Sequence, residues 1–216
     1  MSTGTRVRLF LVRHGETAAN AEMRYLGSRD DPLAERGIEQ AEQAAAALGP
    51  LPITAVYSSP LSRAAETARR IAEARGLTLQ IDARLREGAF GDWEGLSRAE
   101  VLARDAELLA RWEQDPTVVP PGGDSLADVS ARVVALADEL AARHSGAWIV
   151  LVSHVSPIKA LLAAALDAPL GVARRLFLDP GTISVIDWGE PPLVRLFNAH
   201  GHLGWLRARW MASGRP

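Results

Sequence analysis

Trp148-Ile149-Val150-Leu151-Val152-Ser153-His154-Val155-Ser156-Pro157 is the stretch on which the fold turns. Its first five residues are apolar and rich in β-branched types, which predicts a strand over residues 148–152 buried on both faces. Ser153-His154 breaks that run. Pro157 then suits the first turn of a helix that ends near residue 166. A buried strand that hands polar residues straight to a helix is the repeating unit of a parallel α/β sheet. The unit recurs on the N-terminal side. Residues 8–12 read as a short buried strand broken by Arg13-His14-Gly15. Residues 53–57 read as another, stopped by Ser58-Ser59-Pro60. There, a cap at Ser59 and Pro60 in the first turn predict a helix to about residue 74. A third short strand is expected over 77–81, and residues 182–188 and 193–198 form two more, joined by Gly189-Glu190-Pro191-Pro192. Helices are expected over 34–48, which Gly49-Pro50 ends, and over 97–112. One more follows a cap at Asp124 or Ser125, with Leu126, Val129, Val133, Leu136 and Leu140 at helical spacing. Residues 88–95 and 116–123 are glycine- and proline-rich loops. The predicted fold class is α/β: a three-layer α/β/α sandwich around a mostly parallel central sheet, in a single domain over residues 1–216.

Composition narrows the function. Apolar residues at 48% and charged residues at 23% place the 216-residue chain among globular proteins with a sizeable core. A formal net charge of -2 lacks the basic footprint of a nucleic-acid binder. The chain has no cysteine, which excludes disulfides, thiolate zinc sites and cysteine nucleophiles, and fits a reducing cytoplasm. Residues 1–8 are polar and lead into an apolar stretch at 9–12 that is too short for a signal-peptide core. No apolar run reaches membrane-spanning length. These features predict a cytoplasmic protein with neither a nucleic acid nor a membrane as partner.

Polar, chemically capable residues follow three of the predicted strands: Arg13-His14, then Ser58-Ser59-Pro60-Leu61-Ser62-Arg63, then Ser153-His154. Glu87 comes soon after the third strand. In parallel α/β sheets ligands bind beyond the carboxyl ends of the strands, so these distant segments are expected to converge. Two arginines, two histidines and one carboxylic acid suit a phosphomonoester. Arginine presents a planar fork of donors that matches phosphate oxygens. A neutral imidazole nitrogen attacks phosphorus, and a second histidine donates to the oxygens that gain charge. Glu87, shielded by Phe90 and Trp93, would protonate the departing alkoxide and then activate water.

The ordered segments resemble the histidine phosphatase superfamily, which includes cofactor-dependent phosphoglycerate mutases and related acid and α-ribazole phosphatases. Carrying the resemblance are Leu11-Val12-Arg13-His14-Gly15-Glu16-Thr17 with Asn20, and Ser58-Ser59-Pro60-Leu61-Ser62-Arg63-Ala64. Leu85-Arg86-Glu87, Phe90-Gly91-Asp92-Trp93-Glu94-Gly95, Pro121-Gly122-Gly123-Asp124-Ser125 and Val152-Ser153-His154 follow in matching order. The resemblance implies a phosphoglycerate mutase-like fold and a metal-independent phosphomonoesterase of the histidine acid phosphatase type, without a cofactor. His14 would accept the phosphoryl group. Arg13, Arg63 and His154 would bind it, Asn20 would add a donor, and Glu87 would be the proton donor. The substrate would be a small phosphorylated metabolite, and the family allows a homodimer. A cofactor-dependent mutase is the alternative enzyme, and a non-catalytic phosphate-binding module is the alternative outside catalysis. The compact Phe90-Gly91-Asp92-Trp93-Glu94-Gly95 segment favours the phosphatase. Many family members have glycine after the second histidine, whereas this chain has Val155. The run from His154 to Lys159 is similar to the phosphatase half of bacterial ribonuclease H/acid phosphatase fusions, and 216 residues leave no room for the ribonuclease half.

Other residues have competing readings. Asn20 could instead bond the loop backbone. Arg24-Tyr25-Leu26-Gly27 would line the substrate mouth or form ordinary surface. Glu94 reads as structural or solvated. Trp93, Trp148, Trp188 and Trp205 read as packing residues. His200-Gly201-His202 reads as a polar loop, since no carboxylate or cysteine stands at metal-ligand spacing beside it.

Overall fold

The computed structural model describes residues 6–204. Trp205 lies outside the described residues. The elements in chain order are β1 (Val7–Arg13), α1 (Ala18–Ala21), α2 (Glu35–Leu48), β2 (Ile53–Ser58), α3 (Ser62–Glu73) and β3 (Leu79–Ile81). Then come α4 (Arg98–Gln114), α5 (Leu126–Arg143), β4 (Trp148–Ser153), α6 (Val155–Ala165), β5 (Ile183–Trp188) and β6 (Leu193–Ala199). The strands form one sheet in the order β3-β2-β4-β1-β5-β6. Pairings from β3 through β1 are parallel, while β5 runs antiparallel to β1 and β6 antiparallel to β5. The sheet is therefore mostly parallel.

Alternating side chains of the inner strands divide the core in two, because successive residues of a strand face opposite ways. On one face Leu9, Leu11, Ile149 and Leu151 pack with Val133, Leu136, Leu140 and Leu161 of α5 and α6. On the other, Phe10, Val12, Val150 and Val152 pack with Ala44, Leu48, Ala64 and Ile71 of α2 and α3. Two helical layers thus enclose the sheet, which is the expected three-layer sandwich. The helices present their apolar stripes inward: in α5 Val129, Val133, Leu136, Ala137 and Leu140 are buried, the spacing of one helical face. Ser125, not Asp124, caps that helix, with Asp128 completing a capping box.

One helix start differs from the prediction. Ser59 does not cap α3; the helix begins at Ser62 after an extended Leu61. The Ser59 hydroxyl instead accepts from the Leu61 N–H at 3.2 Å and meets His154 Nε2 at 2.8 Å. A small third cluster lies outside the two main cores. Trp93, Val101 and Leu109 are buried there, with Tyr25, Phe90 and Trp112 packed against them. α4 kinks within it at Asp105, whose carboxylate accepts from the Trp93 indole N–H at 2.8 Å.

Candidate active site

Sheet geometry brings the polar strand ends together. β4 lies between β2 and β1, and its register sets Arg13 beside Ser153 and Ser58 beside Val152. The His14 N–H donates to the Ser153 carbonyl at 3.0 Å, continuing the ladder past the strand end. Each histidine then follows a paired position on adjacent strands, which run about 4.8 Å apart. The imidazole rings of His14 and His154 accordingly lie 5.0 Å apart, inclined at 56°.

Both rings are buried. Burial first, then the charges of Arg13 and Arg63, holds the pKa of His14 well below the usual histidine value. Burial likewise dominates at His154, followed by His14, Arg63 and Arg13. His14 Nδ1 is 2.7 Å from the Gly15 carbonyl oxygen. A carbonyl only accepts, so Nδ1 carries the hydrogen of the neutral ring and Nε2 keeps the lone pair. Gly15 is required by close approach: a Cβ there would lie 2.1 Å from the Gly37 carbonyl oxygen of α2.

The arginines are buried too. Arg13 donates to the Leu178 carbonyl at 2.6 Å. Arg63, in the first turn of α3, sends its two terminal nitrogens to the carbonyls of Arg29 and Gly27 at 2.6 and 2.8 Å. Glu87 is buried as well, and its carboxylate accepts from the backbone N–H groups of Gly88, Val155 and Ser156. The last two are free N–H groups of the α6 N-terminus, where a carboxylate also meets the favourable end of the helix dipole. Its environment differs from the expected shield: Phe90 shares the cavity wall, whereas Trp93 is wholly buried in the third cluster.

Arg13, His14, Asn20, Arg63 and Glu87 line one cavity of about 480 Å³. His154 is wholly buried beside His14 and is not among the residues that line the cavity. Asn20 has the local role as well: its side-chain oxygen accepts from the Thr17 N–H at 3.2 Å in a capping box of α1. Arg24, Tyr25, Leu26 and Gly27 are part of the wall, as is Val155. Glu94 is structural, accepting from Ser28 and Phe90 N–H groups. The His200-Gly201-His202 reading needs correction. His200 is buried against the Asp179 carboxylate at 2.7 Å, a partner 21 residues away that local spacing does not reveal. His202 meets the Gly181 carbonyl, and the Gly181 N–H reaches the carbonyls of Arg13 and His14. The two histidines thus brace the turn under the site. Sequence reading passed over Trp112, Lys159 and Arg174, which also line the cavity. Lys159 stood in a quoted segment, four residues after Val155 and hence on the same helix face. Arg174 carries no local signal.

The sequence model of the histidine phosphatase superfamily (branch 1) matches residues 9–198. The chain belongs to that superfamily. It is 44% identical over 203 residues to a bifunctional protein of Mycobacterium tuberculosis, covering 93% of this chain and 56% of that protein. The chain therefore spans little more than half the length of that relative. It is 35% identical over 182 residues to the adenosylcobalamin/alpha-ribazole phosphatase of Escherichia coli, covering 84% of this chain and 90% of the relative. Among solved structures, mycobacterial glucosyl-3-phosphoglycerate phosphatase in complex with VO3 superposes with a TM-score of 0.82 at 35% identity. That match covers 89% of this chain and 99% of the other. Among the described residues, no helix is long and apolar enough to cross a membrane.

Proposed function

We propose that this protein is a metal-independent phosphomonoesterase of the histidine acid phosphatase type, acting on small phosphorylated metabolites through a phosphohistidine on His14. The observation that carries this reading is the buried His14 ring, its Nδ1 2.7 Å from the Gly15 carbonyl oxygen and its centroid 5.0 Å from that of His154, beside two buried arginines. Its similarity to proteins named as phosphatases favours hydrolysis over mutase activity or simple phosphate binding. All the residues that the chemistry needs are present.

In the first step His14 Nε2 bonds to phosphorus and the ester P–O bond breaks. The departing alkoxide takes its proton from Glu87. Arg13, Arg63, the Asn20 amide and His154 stabilise the charge spread over the phosphoryl oxygens. If the Ser59 hydroxyl donates to His154 Nε2, the buried Nδ1 carries the proton that His154 offers. In the second step water attacks phosphorus and gives a proton to the Glu87 carboxylate. The P–N bond breaks, releasing phosphate and restoring neutral His14. A cytoplasmic location, a single domain and a homodimer belong to the same proposal. Fractionation, limited proteolysis and sedimentation test them.

The central test is rapid acid-free quenching during turnover of a 32P-labelled phosphomonoester. An acid-labile, base-stable phosphoenzyme is expected in wild type and is absent from His14→Asn. Turnover by folded His14→Asn at the wild-type rate would remove His14 as nucleophile. Dominant interconversion of phosphoglycerates over phosphate release would make the enzyme a mutase.

A further inference from the structure

The far side of the cavity carries positive charge that the phosphoryl chemistry does not use. Arg174 sits over the Trp112 ring, its guanidinium carbon 4.0 Å from the ring centroid. Its Nε and Nη2 are buried without a hydrogen-bond partner. Among the described residues it makes no ion pair; Glu113, a carboxylate that lines the same cavity, is held by Arg98 at 2.6 Å. Lys159, one helical turn after Val155 on α6, also lines the cavity and makes no hydrogen bond or ion pair among the described residues. By contrast, Arg24 in the same wall is neutralised by Glu22 and Glu100.

Removing a cation from water without a partner is costly, and a stacked guanidinium is already oriented to receive one. Arg174 is carried by the segment Leu170–Arg175 and sits on Trp112 of α4, whereas Arg13 ends β1 and Arg63 lies in the first turn of α3. Arg174 therefore enters the cavity from other elements than Arg13 and Arg63 do. Lys159, on α6, lines the same cavity.

Resting on the phosphatase reading, we propose that Arg174, assisted by Lys159, forms a second anion subsite, and that the substrate is a phosphomonoester that also bears a carboxylate. The cavity favours a singly charged group over a second phosphate. Glu87, Glu113 and Asp124 line it as well and oppose a further dianion. A carboxylate matches the guanidinium fork and accepts from an ammonium with a single negative charge.

Matched pairs of esters that differ only in that group test the proposal at two reaches. One pair is D-3-phosphoglycerate and sn-glycerol 1-phosphate, which share the configuration at the central carbon; the other is 6-phosphogluconate and sorbitol 6-phosphate. Wild type is expected to favour the acid in at least one pair by about ten-fold or more in kcat/KM, the scale of one charge-assisted contact. In Arg174→Gln that ratio collapses toward one, and in Lys159→Met it falls by a smaller factor. Calorimetric dissociation constants for the same pairs, in a His14→Ala background that prevents turnover, are expected to show the same ratios. Catalytic inactivity with the binding ratio intact would overturn the phosphatase reading and leave the subsite standing. No preference for the acid in either pair, or an equal loss on acid and neutral ester in Arg174→Gln, would overturn the subsite.

Discussion

The cavity has a floor and a wall made by different parts of the chain. The floor comes from strand ends: Arg13 at the end of β1, His14 just after it, and Arg63 beyond β2, with His154, after β4, buried against His14. The wall comes from Tyr25 to Gly27, from the end of α4, from α6 and from the short helical segment Leu170–Arg175. On the floor each charged group has a backbone partner. Arg13 meets one carbonyl, Arg63 meets two, and Glu87 meets three N–H groups. On the wall Arg174 rests on an aromatic ring, and Lys159 has no hydrogen bond among the described residues. In the proposed reaction a floor held this way is preorganised for the phosphoryl group, whereas the wall is free to select what is attached to it.

Glu87→Gln breaks the floor most directly. Glutamine keeps the shape but cannot supply a proton, and general acid-base catalysis contributes roughly 10²- to 10⁴-fold. A loss on that scale is expected in kcat for alkyl phosphates. A much smaller loss is expected for an aryl phosphate, whose leaving group departs without full protonation. Equal losses on the two ester types in stopped assays would assign Glu87 a structural role at the start of α6 instead.

Arg63→Lys tests whether floor and wall are separate. Arg63 belongs to the floor, yet its guanidinium holds the Gly27 and Arg29 carbonyls of the wall. An ammonium cannot reach two carbonyls and a phosphate as a rigid fork does. A loss of about 10²-fold in kcat/KM is expected, the scale of one missing transition-state donor. Faster protease cleavage near residues 27–29 is expected alongside it. Full activity with unaltered cleavage would show that neither part depends on Arg63.

The same division explains what was legible in the sequence. Strand ends are placed by periodicity and by parallel pairing, so Arg13, His14, Arg63 and His154 were readable together with the sandwich. α3 begins three residues beyond Ser59 because the Ser59 hydroxyl is engaged by His154, a contact across 95 positions that no local capping rule contains. The same limit hid the carboxylate partner of His200. Arg174 was unreadable because its position depends on Trp112, which packs in a separate small cluster on another helix. Asn20 shows that two readings can hold at once, since its oxygen caps α1 while the residue lines the cavity.

The response to pH separates floor from wall with the smallest effects. An ordinary histidine with pKa about 6.5 would be mostly protonated at pH 5.5 and would cost about ten-fold in kcat/KM. Burial and the two arginines lower the pKa of His14, so its neutral form persists as pH falls through that range. No ten-fold drop from His14 is therefore expected between pH 7 and 5.5. A steep loss centred on pH 6.5 would mean that the ring is not held neutral by its surroundings. On the wall the sign is opposite. Burial first, then Arg13 and Arg174, lowers the pKa of Lys159 to about 8. Its charge is present below that value and lost above it. Between pH 7 and 9 the kcat/KM ratio of acid to neutral ester is expected to fall about three-fold, a fraction of one charge-assisted contact. Lys159→Met should flatten that decline without moving the acidic limb. An alkaline decline that is the same for acid and neutral esters would place Lys159 on the floor, against the phosphoryl group.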